Sequence, residues 1–513
     1  MSPGEVGSLV KADVAVVGAG PAGLAAAVAA AEAGALVAVV DAGAQPGGQF
    51  WRHRPETVVP EPDGAGHHGW RHYVDLRARF DAARRRGQIT YLPGLQVWMP
   101  EKNDAGFTLR TTPTVAGARS ENAAGNAPAG PGAGNAPAGP GAGRTVVARR
   151  LVLCPGGYDR QLPVPGWELP GVMAAGGIQA FLKGNGTLPG RRFVVAGTGP
   201  FLLPVAAGIA EAGGHVLAVF ESSSPTAWLP HLRAAAGVPE KALEGAEYAA
   251  VFARHRIPYR TRSIVTEILG QDRASGVRTA KVDADGRVRP GTERVYDDVD
   301  VVGFGWGFTP QMELPVALGA DTRLDADGSL VGIVDERQES SIPGLFLAGE
   351  ITGVGGASLA VIEGLTAGAA AAREPGAGAY AEPSRAAPTR AAPSRAARHR
   401  RFAEAMHRAH PVPAAWQEWL TPDTTVCRCE EVTAGQLTEA RETLEARDSR
   451  SLKSFTRAGM GWCQGRVCGF AAACLAAGPG ASASAQSLND SAKRPLGAPV
   501  SIGELASLDI AAS

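Results

Sequence analysis

The chain has 513 residues, of which 45% are hydrophobic, and its 50 Lys and Arg residues balance 50 Asp and Glu residues. This length predicts about three domains, and zero net charge provides no attraction to nucleic acid or to an anionic membrane. Six cysteines are too few for a disulfide scaffold, and the longest apolar runs each contain a Glu, so we expect neither a signal peptide nor a membrane span. We therefore expect a soluble cytoplasmic protein, attached to a membrane, if at all, through its partners.

The first ordered segment, residues 13–41, alternates a strand, a glycine turn, a helix and a second strand. In "GAGPAG", Gly18 permits the tight turn, Gly20 lets the backbone approach a pyrophosphate, and Gly23 lets helix and strand pack closely. The helix N-terminus then presents free N–H groups to phosphates. Asp41, at the end of the second strand, is placed to bind a ribose hydroxyl. The pattern predicts a dinucleotide-binding unit and leaves open whether its ligand is FAD or NAD.

Three segments have compositions that do not predict a packed core. The tandem repeat of "NAPAGPGAG" predicts a disordered insertion at about 118–143. The stretch "EPSRAAPTRAAPSRAARHRR", punctuated by Pro and Arg, predicts a flexible linker over 373–400. Residues 477–513, at the end of the chain, are predicted to be mostly disordered.

A second strand–turn–helix–strand unit spans residues 191–221. Its turn, "GTGPFLLPVA", keeps Gly197 and Gly199 but has Leu202 at the third glycine position, where a bulky side chain should narrow the space for a pyrophosphate. Glu221 ends the following strand and could bind a ribose diol, with a charge that disfavours a 2′-phosphate. Two interpretations stay open: a site for NAD(H), or a nucleotide-binding fold that no longer binds a nucleotide.

Near the end of the large region, "LFLAGEITGVGGASLAVIEG" looks like the second flavin motif of flavoproteins that contain two dinucleotide-binding domains. In such a motif, Gly349 and the acid Glu350 would bind the ribityl–phosphate region of FAD. The next helix would direct its N-terminus, at Gly356 and Ala357, towards the flavin pyrimidine, where reduction places negative charge. This motif predicts that the first glycine unit binds FAD.

Four of the six cysteines lie in two short stretches near the end of the chain. Cys427 and Cys429 form Cys-x-Cys, and Cys463 and Cys468 form Cys-x4-Cys, with a helical segment between the pairs. Four thiolates complete a tetrahedral zinc site or a [2Fe–2S] cluster. Two close pairs suit two irons, so we prefer [2Fe–2S], with zinc and free thiols as the alternatives. Residues 1–426 contain no Cys-x-x-Cys, which argues against dithiol–disulfide chemistry.

The chain resembles the FAD-containing α subunits of multi-subunit amine and amino-acid dehydrogenases, which include proline, hydroxyproline and opine dehydrogenases and the B subunit of hydrogen cyanide synthase. The resemblance rests on "GGQFWR", "LPVPGWELPGVMAAGGIQAFLK", "VVAGTGPFLLPVA", "LFLAGEITGVGGASLAVIEG" and "CRCEEVT...TRAGMGWCQGRVC". The cysteine pattern resembles the bacterioferritin-associated-ferredoxin type of [2Fe–2S] domain. The resemblance implies an α/β fold: a Rossmann-like FAD domain with an inserted second Rossmann-like domain, followed by a small helical [2Fe–2S] domain.

The resemblance also implies site residues and partners. The FAD contacts that we predict are made by Gly18, Gly20, Pro21, Gly23, Asp41, Gly48, Gln49, Val97, Gly156, Gly349, Glu350 and Ala357. The family places amine oxidation on a separate FAD-containing β subunit of the amine-oxidase type, so we expect that partner, and a small ferredoxin-like subunit is left open as a second one. Two further cofactors are left open, an FMN at a subunit interface and NAD(H) at Gly197, Gly199 and Glu221.

The predicted domain boundaries follow these motifs. They are 11–186 for the first part of the FAD-binding domain, 187–290 for the NAD-binding-like domain, 291–372 for the second part of the FAD-binding domain, 373–400 for the linker, 401–476 for the [2Fe–2S] domain and 477–513 for the tail.

Three functions are compatible with these features, and the features favour the first. The first is the α subunit of a heteromeric dehydrogenase for a small amino acid or amine, relaying electrons between flavin and cluster. The second is a free-standing NADH-dependent reductase, which a working second glycine motif would favour. The third is a docking module for iron storage or delivery, which the complete FAD motifs disfavour. The sequence shows no His/Asp or Tyr/Arg constellation with a recognisable spacing, so no catalytic residue is assigned.

Overall fold

A computed structural model describes residues 9–59, 64, 66–114, 143–373 and 392–506. The strands are β1 (Leu9–Val17), β2 (Val37–Asp41), β3 (Ile89–Pro93), β4 (Leu95–Asn103), β5 (Gly106–Pro113), β6 (Thr145–Leu153), β7 (Gly157–Asp159), β8 (Val172–Ala174), β9 (Arg192–Gly197), β10 (His215–Glu221), β11 (Tyr259–Thr261), β12 (Ser263–Gly270), β13 (Ala274–Lys281), β14 (Arg294–Asp297), β15 (Val301–Gly305), β16 (Phe308–Pro310), β17 (Thr322–Leu324), β18 (Leu330–Gly332), β19 (Leu345–Leu347), β20 (Thr425–Cys427) and β21 (Val432–Thr433).

The α-helices of the described residues are α1 (Pro21–Glu32), α2 (Trp70–Arg85), α3 (Ala175–Ala180), α4 (Leu202–Glu211), α5 (Leu232–Ala236), α6 (Pro239–His255), α7 (Glu313–Ala317), α8 (Ala357–Ala371), α9 (Ala392–Ala409), α10 (Ala434–Thr443), α11 (Ser449–Thr456), α12 (Gly469–Ala477), α13 (Ala485–Ala492) and α14 (Ile502–Ala506). Other helical turns lie at Phe181–Asn185, Pro225–His231, Glu350–Thr352 and Trp416–Trp419. The insertion predicted at 118–143 lies outside the described residues except for its last position, and so does residue range 374–391 of the predicted linker.

A seven-stranded sheet forms the first domain, with strand order β3-β2-β1-β6-β5-β4 and β19 paired with β6. Its parallel strands are covered on both faces, and for this reason they are nearly continuous apolar runs; every residue of β2 is buried. α1 and α8 pack closely because Gly364 and Gly368 have no side chain. A Cβ on Gly364 would lie 2.1 Å from the Ala22 carbonyl oxygen, and one on Gly368 would lie 2.1 Å from that of Ala26.

A five-stranded parallel sheet forms the second domain, with strand order β11-β10-β9-β15-β8. β12, β13 and β14 add a small antiparallel sheet to it. β8 and β15 both lie outside the predicted range 187–290, so that boundary prediction is wrong at both ends. The reason is that β15 pairs with β9, far from it in sequence, and local patterns do not reveal such a pairing. The predicted fold class, with two Rossmann-like domains and a small helical C-terminal domain, is confirmed.

The C-terminal domain, which contains β20, β21 and helices α10 to α12, packs on the second domain in one continuous hydrophobic core. The rings of Trp306 and Trp419 are 5.5 Å apart, and Trp419 Nε1 donates to the Gly286 carbonyl oxygen at 2.8 Å. Trp167 Nε1 donates to the Thr425 carbonyl oxygen at 2.5 Å. These contacts place the four cysteines at a defined position relative to the second domain.

Part of the predicted linker is helical. α9 begins at Ala392, so the prediction of a flexible segment over 373–400 is wrong for its last residues. Arg400 of α9 forms an ion pair with Glu363 of α8 and donates to the Thr352 carbonyl oxygen at 3.1 Å. These contacts with the first domain stabilise a helix that composition alone does not predict.

The predicted mostly disordered tail, 477–513, is also partly wrong, because it contains α13 and α14. Ser484 caps α13 by accepting from the Ser487 N–H at 3.1 Å, and the hydroxyl groups of Ser487 and Ser449 form a buried hydrogen bond of 2.5 Å. α13 therefore owes its order to contacts with the C-terminal domain. No helix in the described ranges has the length and apolar character needed to cross a membrane.

Candidate functional site

The first glycine motif forms a tight turn between β1 and α1. Gly18 has φ +96°, and a Cβ on it would lie 2.3 Å from the Cys154 carbonyl oxygen. A Cβ on Gly23 would lie 1.8 Å from the Gly18 carbonyl oxygen. Both glycines are therefore required by the packing of strand, turn and helix. Gly20 precedes α1, which begins at Pro21, and no described side chain caps this helix terminus, so its free N–H groups suit an anionic ligand.

Other predicted flavin residues gather at the same helix terminus. A Cβ on Gly48, which has φ +60°, would lie 2.7 Å from Gly20 Cα, and one on Gly349 would lie 3.1 Å from Ala22 Cβ. Asp41 ends β2 and is 9% exposed. Burial raises the pKa of Asp41 to about 6, although the Tyr91 hydroxyl donates to its carboxylate at 3.3 Å. The structure thus brings together residues from four separate stretches of sequence.

Two further residues that were predicted to contact FAD, Gln49 and Val97, have surroundings that differ from those of the glycines. The Gln49 side chain is exposed, and its Oε1 accepts a hydrogen bond of 2.5 Å from Arg52. Val97 is 4% exposed and belongs to the core of the first domain. Contacts of these two residues with a flavin therefore stay a prediction.

The second flavin motif contains a buried carboxylate oxygen that has no hydrogen-bond partner among the described residues. Among the described residues, nothing forms a hydrogen bond with Glu350 Oε2, which is fully shielded from solvent. Burial, and next the charge of Glu363, raise the pKa of Glu350 to about 7. Glu363 itself accepts from the Gly349 N–H at 2.9 Å and from the Thr352 hydroxyl at 3.0 Å. Glu363 is a site residue that the sequence did not predict. The signal that could have identified it is a charged residue within an otherwise apolar helix.

Open space adjoins this motif. α8 begins at Ala357 after Gly356, which has φ +79°, and no described side chain caps the helix. A Cβ on Gly356 or on Gly156 would meet no described atom within 4 Å. Two uncapped helix termini, glycines that border open space and an unpartnered buried oxygen of Glu350 together fit a dinucleotide such as FAD.

The second glycine motif is engaged in contacts within the protein. Glu221 is 1% exposed, and its Oε2 accepts from the Gly199 N–H at 2.8 Å. Its Oε1 accepts from the Thr198 hydroxyl at 3.1 Å and from the Ser223 hydroxyl at 2.8 Å. Leu202 is fully buried in the core between sheet and helix. The carboxylate that would bind a ribose diol is thus already satisfied by protein groups.

His410, which follows α9, covers this motif. Trp228 Nε1 donates to His410 Nε2 at 3.0 Å, which leaves the Nδ1 proton for Ser223 Oγ at 2.7 Å. His410 Nδ1 lies 3.7 Å from Glu221 Oε2, and a Cβ on Gly199 would lie 3.8 Å from His410 Cβ. Burial alone would raise the pKa of Glu221, but the contacts with His410 and Ser223 outweigh it and hold the pKa below its usual range.

The four cysteines meet in the C-terminal domain. Their thiol groups contact one another in the order Cys427–Cys468–Cys463–Cys429. The interaction with the Cys468 thiol is the largest cause that lowers the pKa of Cys427 to about 6 and that of Cys463 to about 4. The Gly459 N–H also lies 3.4 Å from Cys427 Sγ. Four gathered thiols with backbone N–H donors fit the ligand set of an iron–sulfur centre.

The spread of the four sulfurs distinguishes one metal ion from two. Sulfurs on a single tetrahedral zinc ion lie about 3.8 Å apart, since each Zn–S bond is about 2.3 Å. Among the described residues, one set of three possible metal ligands has all its ligand atoms within 4.8 Å of one another, and it consists of Asp325, Asp327 and His407. No three cysteine sulfurs of the described residues lie this close together. The extended arrangement of the sulfurs therefore suits a [2Fe–2S] cluster better than zinc.

Comparisons with known proteins agree with these two sites. Residues 12–372 match the family model described as "Pyridine nucleotide-disulphide oxidoreductase", and residues 425–475 match "BFD-like [2Fe-2S] binding domain". The A subunit of opine oxidase from Rhizobium meliloti (strain 1021) is 32% identical over 507 residues, which cover 97% of this chain and 98% of that protein. Hydrogen cyanide synthase subunit HcnB of Pseudomonas aeruginosa is 32% identical over 319 residues, covering 62% of this chain and 68% of that protein.

A solved structure has the same fold. L-proline dehydrogenase from P. horikoshii superposes with a TM-score of 0.62 at 16% identity, covering 98% of this chain and 80% of that chain. At this identity the likeness concerns the fold alone.

Proposed function

This chain belongs to the pyridine nucleotide-disulphide oxidoreductase family and carries a BFD-like [2Fe-2S] domain, and we propose that it is the electron-relaying α subunit of a heteromeric amino-acid or amine dehydrogenase. It is an FAD-dependent oxidoreductase. When bound, FAD exchanges two electrons and a [2Fe–2S] cluster carries one, so a chain with both can connect a two-electron donor to one-electron carriers.

The observation that carries this proposal is the contact between the cysteine loop and the flavin-binding segment. Arg466 lies between Cys463 and Cys468 in sequence, and its Nε is 2.9 Å from Oε1 of Glu313 in the first domain. The Arg466 guanidinium also lies 5.6 Å from the centre of the Tyr158 ring, and Tyr158 follows Gly156 by two residues. These contacts hold the four sulfurs against the domain that is proposed to bind FAD.

We propose that the substrate is oxidised on a partner chain. The sequence contains no recognisable proton-abstracting constellation, and the relatives are named as parts of larger enzymes: the A subunit of opine oxidase, HcnB of hydrogen cyanide synthase and the alpha subunit of sarcosine oxidase. The proposed partner is an FAD-containing β subunit, and a small ferredoxin-like subunit is a further partner. The proposed substrates carry a CH–NH group, as proline, hydroxyproline, opines, glycine and sarcosine do. An FMN at a subunit interface is compatible with this arrangement.

The alternative, a free-standing NADH-dependent reductase, requires an accessible second glycine motif. His410 covers that motif, and the hydrogen-bond acceptors of Glu221 are directed to protein groups. These contacts favour a relay that receives electrons from a partner. The docking of an iron-storage protein would leave the open cradle at Gly156 and Gly356 unexplained.

An anaerobic titration of the purified full chain tests the proposal. We expect flavin bands with a broad iron–sulfur shoulder, bleached by dithionite and unchanged by NADH. Addition of the co-expressed β subunit together with an amino acid that has a CH–NH group should then bleach the same bands. Absence of iron from the chain, or full bleaching by NADH alone, would contradict the proposed function.

A further inference from the structure

We propose that Arg494 and Arg466 form a cationic wall beside Cys463 and Cys468 that raises the reduction potential of the cluster. This inference rests on the proposed function, because it concerns a [2Fe–2S] centre held by the four cysteines. It assigns a role to the C-terminal segment that the sequence predicted to be mostly disordered.

Arg494 reaches the cysteine loop from outside the C-terminal domain. Its Nη2 and Nε donate to the Ser491 carbonyl oxygen at 3.1 Å and 3.2 Å, which holds the side chain in one direction. A Cβ on Gly465 would lie 3.2 Å from Arg494 Nη2. Gly465 lies between Cys463 and Cys468, so the guanidinium packs directly against the loop that carries these two sulfurs, and its charge acts on both.

Arg466 lies on the same side and belongs to the same loop. Its Nη2 donates to the Gly497 carbonyl oxygen at 2.5 Å, and the Gly497 N–H donates to the Trp98 carbonyl oxygen at 2.7 Å. The segment with Arg494 is thus fastened between β4 of the first domain and the cysteine loop. This position is built by named contacts and is not the chance position of a surface side chain.

The charged side chains around the loop between Cys463 and Cys468 have a net positive charge unless an anion is bound at the cysteines. The positive groups are Arg466, Arg494 and Lys453. Burial, and next the charge of Arg466, lower the pKa of Arg494, and burial, and next the charge of Arg494, lower the pKa of Lys453. Glu313 forms an ion pair with Arg466 and also faces Arg494, so three cations beside the cysteine loop are opposed by one carboxylate. A [2Fe–2S] cluster with four thiolates is negative, and reduction adds one further negative charge. Nearby cations favour the reduced form and therefore raise the potential.

A redox titration of the full chain, followed by electron paramagnetic resonance, tests this inference. One electron from a mediator converts one Fe(III) of each cluster to Fe(II), and the signal reports the reduced fraction. For Arg494→Gln we expect the ratio of reduced to oxidised cluster at a fixed potential to fall about tenfold. This is the effect calculated for two unit charges about 12 Å apart at an effective dielectric constant of about 20. Arg466→Gln should shift the ratio in the same direction.

Two further variants separate charge from structure. Arg494→Lys keeps the charge, so we expect a ratio close to that of the unaltered chain. Arg447→Gln removes the same charge from an exposed position of the C-terminal domain and should leave the ratio unchanged. A loaded cluster with an unchanged ratio in Arg494→Gln would overturn this inference alone. A shift in Arg494→Lys as large as that in Arg494→Gln would also overturn it, and a chain without iron would overturn the proposed function itself.

Discussion

Arg466 and Glu313 form an ion pair between the C-terminal domain and the first domain, with 2.9 Å between Arg466 Nε and Glu313 Oε1. The two side chains are only 13% and 10% exposed. The pair therefore joins the cysteine loop to the flavin-binding domain in surroundings where charge is weakly screened. Its removal is the most direct way to separate the two proposed redox centres.

Glu313→Gln should destabilise the chain by about 3 kcal/mol, because it leaves Arg466 buried without its anionic partner. Urea denaturation, followed by tryptophan fluorescence, measures this change. Glu439→Gln, at an exposed position, is the matched control and should change stability by less than about 0.5 kcal/mol. Equal effects of the two substitutions would show that the ion pair contributes little.

Cys429→Ser should remove most of the bound iron, since it deletes one of the four proposed ligands. Cys474→Ser should keep the iron, because Cys474 is 2% exposed, packs among alanines, and no other cysteine is among the groups that shift its pKa. Iron analysis and the visible spectrum of both variants check this prediction. Retention of iron by Cys429→Ser would contradict the assigned ligand set.

Gly18→Ala should abolish flavin binding and cost several kcal/mol of stability. It combines an unfavourable φ of +96° with a clash at 2.3 Å against the Cys154 carbonyl oxygen. Gly34→Ala has the same φ of +96° but meets no described atom within 4 Å, so it should cost only about 1 kcal/mol. Flavin content and thermal unfolding of both variants separate the clash from the backbone strain, and equal behaviour would contradict the role of the turn.

Glu350 should make the flavin-free chain less stable as the pH rises. Its pKa is raised from 4.5 to about 7 in the folded state, so between these values the folded chain binds more protons than the unfolded chain. Stability from this group is fully present below about pH 4.5 and is lost as the pH approaches 7, by about 3 kcal/mol. Unfolding of the flavin-free chain and of Glu350→Gln at several pH values measures the slope. The variant should lack this contribution, and an identical slope in both would contradict the prediction.

His410→Ala should expose the second glycine motif. We expect no quenching of protein fluorescence by NADH in the unaltered chain and measurable quenching in the variant, because Gly199 and Glu221 lose their cover. His231→Ala, in the neighbouring turn Pro225–His231, is the control and should behave as the unaltered chain. Tight NADH binding by the unaltered chain would show that His410 does not close the motif.

The glycine and cysteine motifs were predictable because their function depends on local backbone geometry. Gly18, Gly20 and Gly23 have to follow a strand and begin a helix within a few residues, and the sequence shows that order directly. Two cysteine pairs at short spacing likewise indicate a metal centre from the pattern of residues alone. The fold class follows from the same alternation of strands and helices.

The domain boundary at 187–290, the helical end of the linker and the ordered tail were not predictable in this way. β15 joins the second sheet through pairing with β9, and α13 is stabilised by contacts around Ser449 and Ser487. Such contacts connect residues that are far apart in sequence, and composition carries no information about them. For this reason, Pro- and Ser-rich segments were predicted to be disordered although tertiary packing orders part of them.

The amino-acid sequence was thus sufficient to establish the class of fold, the glycine turn of the first domain and the set of four cysteines, because each depends on residues close together in the chain. The three-dimensional arrangement was needed to show that His410 covers the second glycine motif, that Glu363 lies near Glu350, and that Arg494 packs against the loop between Cys463 and Cys468. These relationships are set by the packing of distant segments into one core. Their electrostatic consequences depend on burial, which no local pattern of residues specifies.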